Sequence, residues 1–271
     1  MTLRRNLTLA GSGLLAAAIV AAVALAPWLS PHHPFAPDLS ARLVSPRPGH
    51  AFGTDEVGRD ILSRVLYGAR ISLLSTLAII GLAGASGTAL GLVSGLGSAR
   101  LDNLLMRATD LFLAIPPLIL ALAIGAALGP SLQNVVIAVT LVWWPGYARL
   151  ARAQVLSIKH ELYVEAAHAA GAGYRRIVVG HIFPNSMGPL WAKATTDVAY
   201  VLLTISSLGF VGLGPQPPTP ELGNMVAAGR GYVPDVWWYS AFPGLAIFLS
   251  ALVFALFGDA LQEVMEPTWR R

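Results

Sequence analysis

The sequence predicts an all-α, polytopic integral membrane protein with six transmembrane helices. Three observations carry that prediction. Only 12% of the 271 residues are charged while 55% are hydrophobic, about half the charge a water-soluble domain carries. The mean hydropathy is +0.63. The charges also fall in patches that leave long charge-free runs between them. This composition excludes a disordered chain, a coiled coil and a basic nucleic-acid-binding protein, so the expected surroundings are a lipid bilayer and no nucleic acid. With no cysteine, disulfides, Cys-ligated zinc, iron–sulfur clusters and thiol catalysis are excluded as well.

The first charge-free run lies between Arg5 and Asp38, with an apolar heart from Leu9 to Leu29. At about 1.5 Å per residue that stretch crosses a hydrocarbon core of ~30 Å. Arg4-Arg5 and Ala24-Leu25-Ala26 have the outline of a signal peptide, but Pro27 would follow the cut and is poor for cleavage, so an uncleaved anchor is expected. The second span lies between Arg70 and Arg100. The run from Asp110 to Arg149 is too long for one helix, and Gly129-Pro130-Ser131 divides it into spans at 108–128 and 133–151. The fifth is Leu190 to Leu213 and the sixth Trp238 to Phe257. Pro116-Pro117 and Pro145 are expected to kink the third and fourth helices. Trp143 and Trp144 sit mid-span, where they either pack or line a path.

Six spans put both termini on one side, and the Lys/Arg distribution makes that side the inner one. The inner segments then hold Arg4, Arg5, Arg100, Arg107, Arg149, Arg152, Lys159, Arg175, Arg176, Lys193, Arg270 and Arg271. The outer segments hold Arg42, Arg47, Arg59, Arg64, Arg70 and Arg230. Before the second span, Thr54 or Asp55 can cap a short helix with Glu56 in its first turn. Val57, Ile61, Leu62, Val65 and Leu66 would share one face of it, and Asp60 precedes Arg64 by four residues. Such a helix would lie on the outer interface, with Asp55, Arg59, Asp60 and Arg64 in a gate or docking element, or as a plain anchor. Within the second span Gly87, Gly91 and Gly95 recur every four residues, with Gly84 a turn earlier, a spacing that lets two helices approach closely.

Catalytic constellations are missing. The only lysines, Lys159 and Lys193, follow Ile158 and Ala192, so no phosphate-cradling Gly-Lys-Ser/Thr loop exists and no ATPase site is expected in this chain. Neither H-E-x-x-H nor G-x-S-x-G occurs. The adjacent His32 and His33 cannot easily share one ion, so no metal and no cofactor are expected. Asp197, one turn beyond Lys193, can pair with it as a structural element or serve a substrate or ion path.

The most informative segment separates the fourth and fifth spans. Residues 161–170 are good helix formers and Gly171 is a natural stop. A second short helix fits Tyr174 to about His181, ending before Pro184. Two such helices make a knob, kept thin by Ala166 and Ala167, with Glu165, Arg175 and Arg176 as polar handles. Physical chemistry alone also allows a merely solvated loop helix.

Glu165-Ala166-Ala167, three residues, Gly171, nine residues, then His181 to Pro184 resembles the EAA loop of ABC importer permeases. The general pattern has Ile where this chain has His181 and Leu where it has Phe183; both departures are similar to the form in peptide and nickel importers. The run Phe52–Asp60, Ala114–Pro116, Gly129–Leu132, Trp144–Arg149, Leu213–Pro220, Phe242–Ile247 and Gly258-Asp259 resemble the C-type permease subunit of dipeptide/oligopeptide importers, so that the likeness covers residues 50–267. The resemblance implies a type I importer fold with a five-helix core at residues 68–262. Residues 1–67 would add an N-terminal helix and an extracytoplasmic loop, residues 153–187 a cytoplasmic coupling loop and residues 263–271 a tail. It implies four partners: a second, homologous permease in a heterodimer, two cytoplasmic ATPases and an extracytoplasmic solute-binding protein, all at a bacterial or archaeal cytoplasmic membrane. Glu165, Ala166, Ala167, Gly171, Arg175 and Arg176 would couple to the ATPases. Trp144 and Asp197 are candidates for the translocation path. Peptide is the first substrate expectation and nickel the main rival. A stand-alone secondary carrier is the competing class, but it would show inverted halves, and none are visible.

Overall fold

The computed structural model describes residues 2–265, and most of them are helical. The helices are α1 (Thr2–Ala24), α2 (Ala26–Leu29), α3 (Ile61–Leu96), α4 (Ala99–Leu113), α5 (Pro117–Leu128), α6 (Leu132–Ile158), α7 (Leu162–Ala169), α8 (Tyr174–Ile177), α9 (Phe183–Phe210), α10 (Leu222–Gly229) and α11 (Trp238–Met265). The described residues contain no sheet, only two isolated bridges inside the 47–60 loop.

Among the described residues two helices, Ile61–Leu96 and Trp238–Val264, are long and apolar enough to cross a membrane, and the α4–α5 pair makes a third if counted as one span. The other expected spans do not meet that measure by themselves. The apolar part of α1 is the short Thr8–Ala24, α6 carries Arg149 and Arg152, and α9 carries Lys193 and Asp197.

Three local expectations are corrected. First, no separate interfacial helix precedes the second span. Residues 54–60 form a turn, and the helix starts at Ile61 because the Asp60 carboxylate accepts the Ser63 N–H at 2.8 Å. The cap is thus Asp60, not Thr54 or Asp55. The resulting α3 has 36 residues, about 54 Å at the α-helical rise, well beyond a bilayer core. Second, Pro116-Pro117 break the third span instead of kinking it. The residue before a proline is pushed out of the α region, and α4 and α5 meet at 88°. Pro145, by contrast, sits inside an uninterrupted α6. Third, the second loop helix does not stop before Pro184. It passes through a π-helical turn, Val178–Ile182, into α9.

The tightest seam joins α3 and α6, which run parallel. A Cβ added at Gly87 would fall 2.7 Å from Tyr147 Cβ, at Gly91 2.7 Å from Ala151 Cβ, and at Gly95 2.8 Å from Val155 Cβ; Gly84 faces the Tyr147 ring at 3.6 Å. The glycines are therefore what lets the two backbones touch. Ile79, Val139, Val201, Ile205 and Leu208 fill the main core, where α5, α9 and α11 join this pair. Gly258 lets α11 close on Thr196 of α9, and α1 leans on Phe257 of α11 through Gly13. In a lipid setting the outside is as apolar as the inside, so this close van der Waals packing contributes the attraction between helices.

The bundle has two distinct ends. One carries a strap, residues 30–60, with the start of α3 and the 211–237 segment. The other carries the ends of α3 and α6 and the knob of residues 159–182.

Candidate functional site

The knob forms because its residues split into two faces. Val164, Ile177 and Ile182 are buried against Val155 and Ile158 of α6, with Leu92 and Leu96 of α3 packed behind them. The opposite face leaves Leu162 82%, Tyr174 63% and Val179 60% exposed. Gly171 ends α7 with φ +78°. Its N–H donates to His168 O at 3.0 Å, and the Ala172 N–H to Ala167 O at 3.0 Å, which satisfies carbonyls at the helix end. Glu165 and Ala166 lie on the open face, whereas Ala167 is half-buried beside the knob's own core. Arg175 and Arg176 are exposed, and neither they nor Glu165 forms an ion pair among the described residues. Burial pushes the Tyr163 hydroxyl above its ordinary pKa, with Glu161 adding to the effect.

Charges far apart in the sequence tie α4 to α6 and α3. Arg152 of α6 makes a two-pronged contact with Asp102 of α4, at 2.5 and 2.6 Å, and the Ser94 hydroxyl of α3 donates to the same carboxylate. Arg149 pairs with Asp110 at 2.5 Å. Their sequence signal is weak, since partners 39 and 50 residues apart leave no local spacing.

At the strap end all four acidic and basic candidates are buried. Asp55 accepts Arg59 Nε at 2.6 Å and lies 3.4 Å from Arg64 Nε. Arg64 also donates to the carbonyls of Pro34 and Pro218, and Arg59 reaches Glu56 at 3.1 Å. The Glu56 carboxylate in turn accepts the Tyr239 hydroxyl of α11. The predicted Asp60–Arg64 pair does not form, because Asp60 is occupied by capping and Arg64 turns to Asp55. These charges fasten the strap onto α3, α11 and the 215–220 segment.

Lys193 and Asp197 do meet, at 3.0 Å. The Lys193 ammonium also sits 5.0 Å from the centre of the Tyr147 ring, so the pair lies at the α6–α9 seam. Trp144 is half-buried, edge-on to Phe112 of α4 with ring centres 5.4 Å apart. An apolar cavity of about 430 Å³ opens between α3, α6 and α9, lined by Gly81, Gly84, Ala85, Tyr147, Met187 and Trp191 among others.

Residues 87–271 match the family described as binding-protein-dependent transport system inner membrane component. The probable D,D-dipeptide transport system permease protein DdpC of Escherichia coli (strain K12) is 48% identical over 241 residues, which are 89% of this chain and 81% of that protein. The di/tripeptide transport system permease protein DppC of Pseudomonas aeruginosa (strain UCBPP-PA14) is 43% identical over 262 residues, 94% of this chain and 86% of that protein. Among solved structures, an inward-facing MetNI methionine ABC transporter shares the fold with a TM-score of 0.55 at 21% identity, covering 76% of this chain and 98% of its own. The chain belongs to the binding-protein-dependent transport system inner membrane components, the permeases of ABC importers.

Proposed function

We propose that the chain is one of two homologous permease subunits of an ATP-driven importer of di- or oligopeptides. The observation that carries this reading is the 48% identity, over 89% of the chain, to a protein named as a permease for D,D-dipeptides. Two ATPases sit beneath the pair and a solute-binding protein docks above. The chain crosses the membrane six times, with both termini and the knob in the cytoplasm. Support for that orientation comes from the Lys/Arg asymmetry and from the grouping of α3, α6 and knob ends at one end of the bundle.

Coupling follows from the packing. An ATPase groove closes on Glu165, Ala166 and the exposed Leu162 and Tyr174, with Arg175 and Arg176 at its rim. The inward face of the knob is packed onto α3 and α6, and their glycine seam makes those helices move together. Because α3 runs 36 residues to the strap, motion at the knob reaches the opposite end. Asp197 and Trp144 stand near the path. ATP chemistry stays with the partner subunits.

The test is uptake by membrane vesicles holding the reconstituted complex. A labelled dipeptide should accumulate only with ATP, both ATPases and the binding protein, and the purified chain alone should hydrolyse no ATP. ATP-driven uptake of nickel but not of dipeptides would overturn the peptide assignment. ATP turnover by the isolated chain would overturn the permease role.

A further inference from the structure

We infer that His32, His50 and Asp60 form a binding site for a late first-row divalent cation, of the zinc or nickel kind, that staples the strap to the start of α3. In the sequence the neighbours His32 and His33 cannot easily share one ion, and no metal is expected between them. The fold separates those two: His33 Nδ1 accepts the Phe35 N–H, while His32 is carried to His50.

The three side chains each offer a ligand atom, all within 4.8 Å of one another. His50 Nδ1 lies 3.0 Å and His32 Nδ1 3.8 Å from the same oxygen, Asp60 Oδ1. Two ligands of a tetrahedral ion at the usual metal–ligand lengths stand roughly 3.3 Å apart, so both histidine–carboxylate spacings already bracket that value. The imidazoles stack, with centres 4.7 Å apart. Closing the site therefore requires one ring to turn, and the His32 ring is free to do so, with 43% of its side chain exposed.

The surroundings favour an ion. Asp60 Oδ2 is held by the Ser63 N–H and hydroxyl, both at 2.8 Å, which fixes the carboxylate and leaves Oδ1 aimed at the imidazoles. The Asp60 side chain is itself fully buried. His32 is placed by its own N–H donating to Ser63 Oγ at 3.1 Å, so one serine orients two of the three ligands, the kind of outer support that metal sites use. The nearest cationic side chains in sequence, Arg59 and Arg64, are engaged by Asp55 and do not compete for Asp60. Two imidazoles and one carboxylate suit zinc, nickel or copper and not calcium or magnesium, which take all-oxygen shells. A fourth position is left to water.

The site stands whether or not the substrate assignment above is right, because it rests on the strap alone. The experiment is calorimetric titration of the purified, metal-stripped full chain in detergent with ZnCl2 and NiCl2, with MgCl2 and CaCl2 as hard-cation controls. Saturable binding of one zinc or nickel ion per chain is expected. His32→Ala and His50→Ala should each weaken it at least about tenfold, and His33→Ala should leave it unchanged. His32→Ala is the decisive variant, because Asp60 also caps α3 and its replacement would unsettle the helix. A histidine–carboxylate hydrogen bond only, seen as no saturable zinc or nickel binding, would overturn the inference. So would binding that survives His32→Ala with wild-type affinity.

Discussion

Replacing Gly91 by leucine should break the seam on which the bundle is built. A Cβ at this position would lie 2.7 Å from Ala151 Cβ and 2.9 Å from the Arg152 N. Ordinary carbon–carbon contact is about 3.5–4.0 Å, so the first added carbon alone requires α3 and α6 to part by roughly 1 Å, and leucine adds three more carbons. Such overpacking costs about 1–3 kcal/mol where a core can yield. Here the obstacle is backbone, which yields least. Parting the helices also opens gaps at Gly87 and Gly95, which touch the same partner helix.

Gly81→Ala is the matched control, because a Cβ there meets nothing within 4 Å. Alanine in a helix is favoured over glycine by about 0.5–1 kcal/mol, so Gly81→Ala should hold or raise stability while Gly91→Ala and Gly91→Leu lower it, the second more. For a chain of this size 1–3 kcal/mol corresponds to an apparent Tm loss of roughly 2–12 °C. The measurement is thermal unfolding in detergent read by size-exclusion recovery, with membrane insertion checked by fractionation. The seam is inside one chain, so the loss should appear in the isolated subunit, before any partner is added. If Gly91→Leu melts with the wild type while Gly81→Ala behaves as expected, the seam does not hold the bundle together.

Gly171→Val should release the ATPases from the membrane complex, because φ +78° costs a side-chain-bearing residue about 1–2 kcal/mol; Gly171→Asn, which tolerates that region, should retain them on co-purification. Arg152→Met should loosen α4 from α6 by about 1 kcal/mol, given that both partners are part-exposed, seen as faster proteolysis within 99–113; cleavage at the wild-type rate would show the pair to be idle. Reporter fusions should read inside at Lys159 and outside at Ser45 and Glu221, and an outside reading at Lys159 would reverse the topology.

The sequence made the periodic parts of this architecture readable. The four-residue spacing of Gly87, Gly91 and Gly95 defines one helix face whatever the partner is, and Gly171 marks a helix stop because few residues accept its backbone angle. Charges mark the ends of apolar runs but not the ends of helices. Arg70 closes an apolar run but not a helix, so α3 starts at Ile61 and not beyond Arg70. Pro184 does not end the second loop helix, because a π-helical turn carries the chain through to α9 unbroken. The strap was the least legible, since its contacts join residues that have no periodic relation: Arg64 with Pro218, Glu56 with Tyr239, His32 with His50.

The strap holds its acidic side chains and the knob leaves its charges open, and this bears on which of the two meets a partner. On the strap each acidic side chain is engaged: Asp38 by Ser40, Asp55 by Arg59, Glu56 by Arg59 and Tyr239, Asp60 by Ser63 and His50. Desolvating a carboxylate is costly unless a donor replaces the lost water, and the strap supplies donors from the same chain. On the knob, Glu161, Glu165, Arg175 and Arg176 are all exposed, and none joins an ion pair among the described residues. They lie beside exposed Leu162, Tyr174 and Val179. An apolar patch ringed by unspent charges can be buried only against a surface that brings its own counter-charges. A strap whose acidic side chains are engaged within the chain and a knob that leaves its own open put at the knob the surface a second protein can complete.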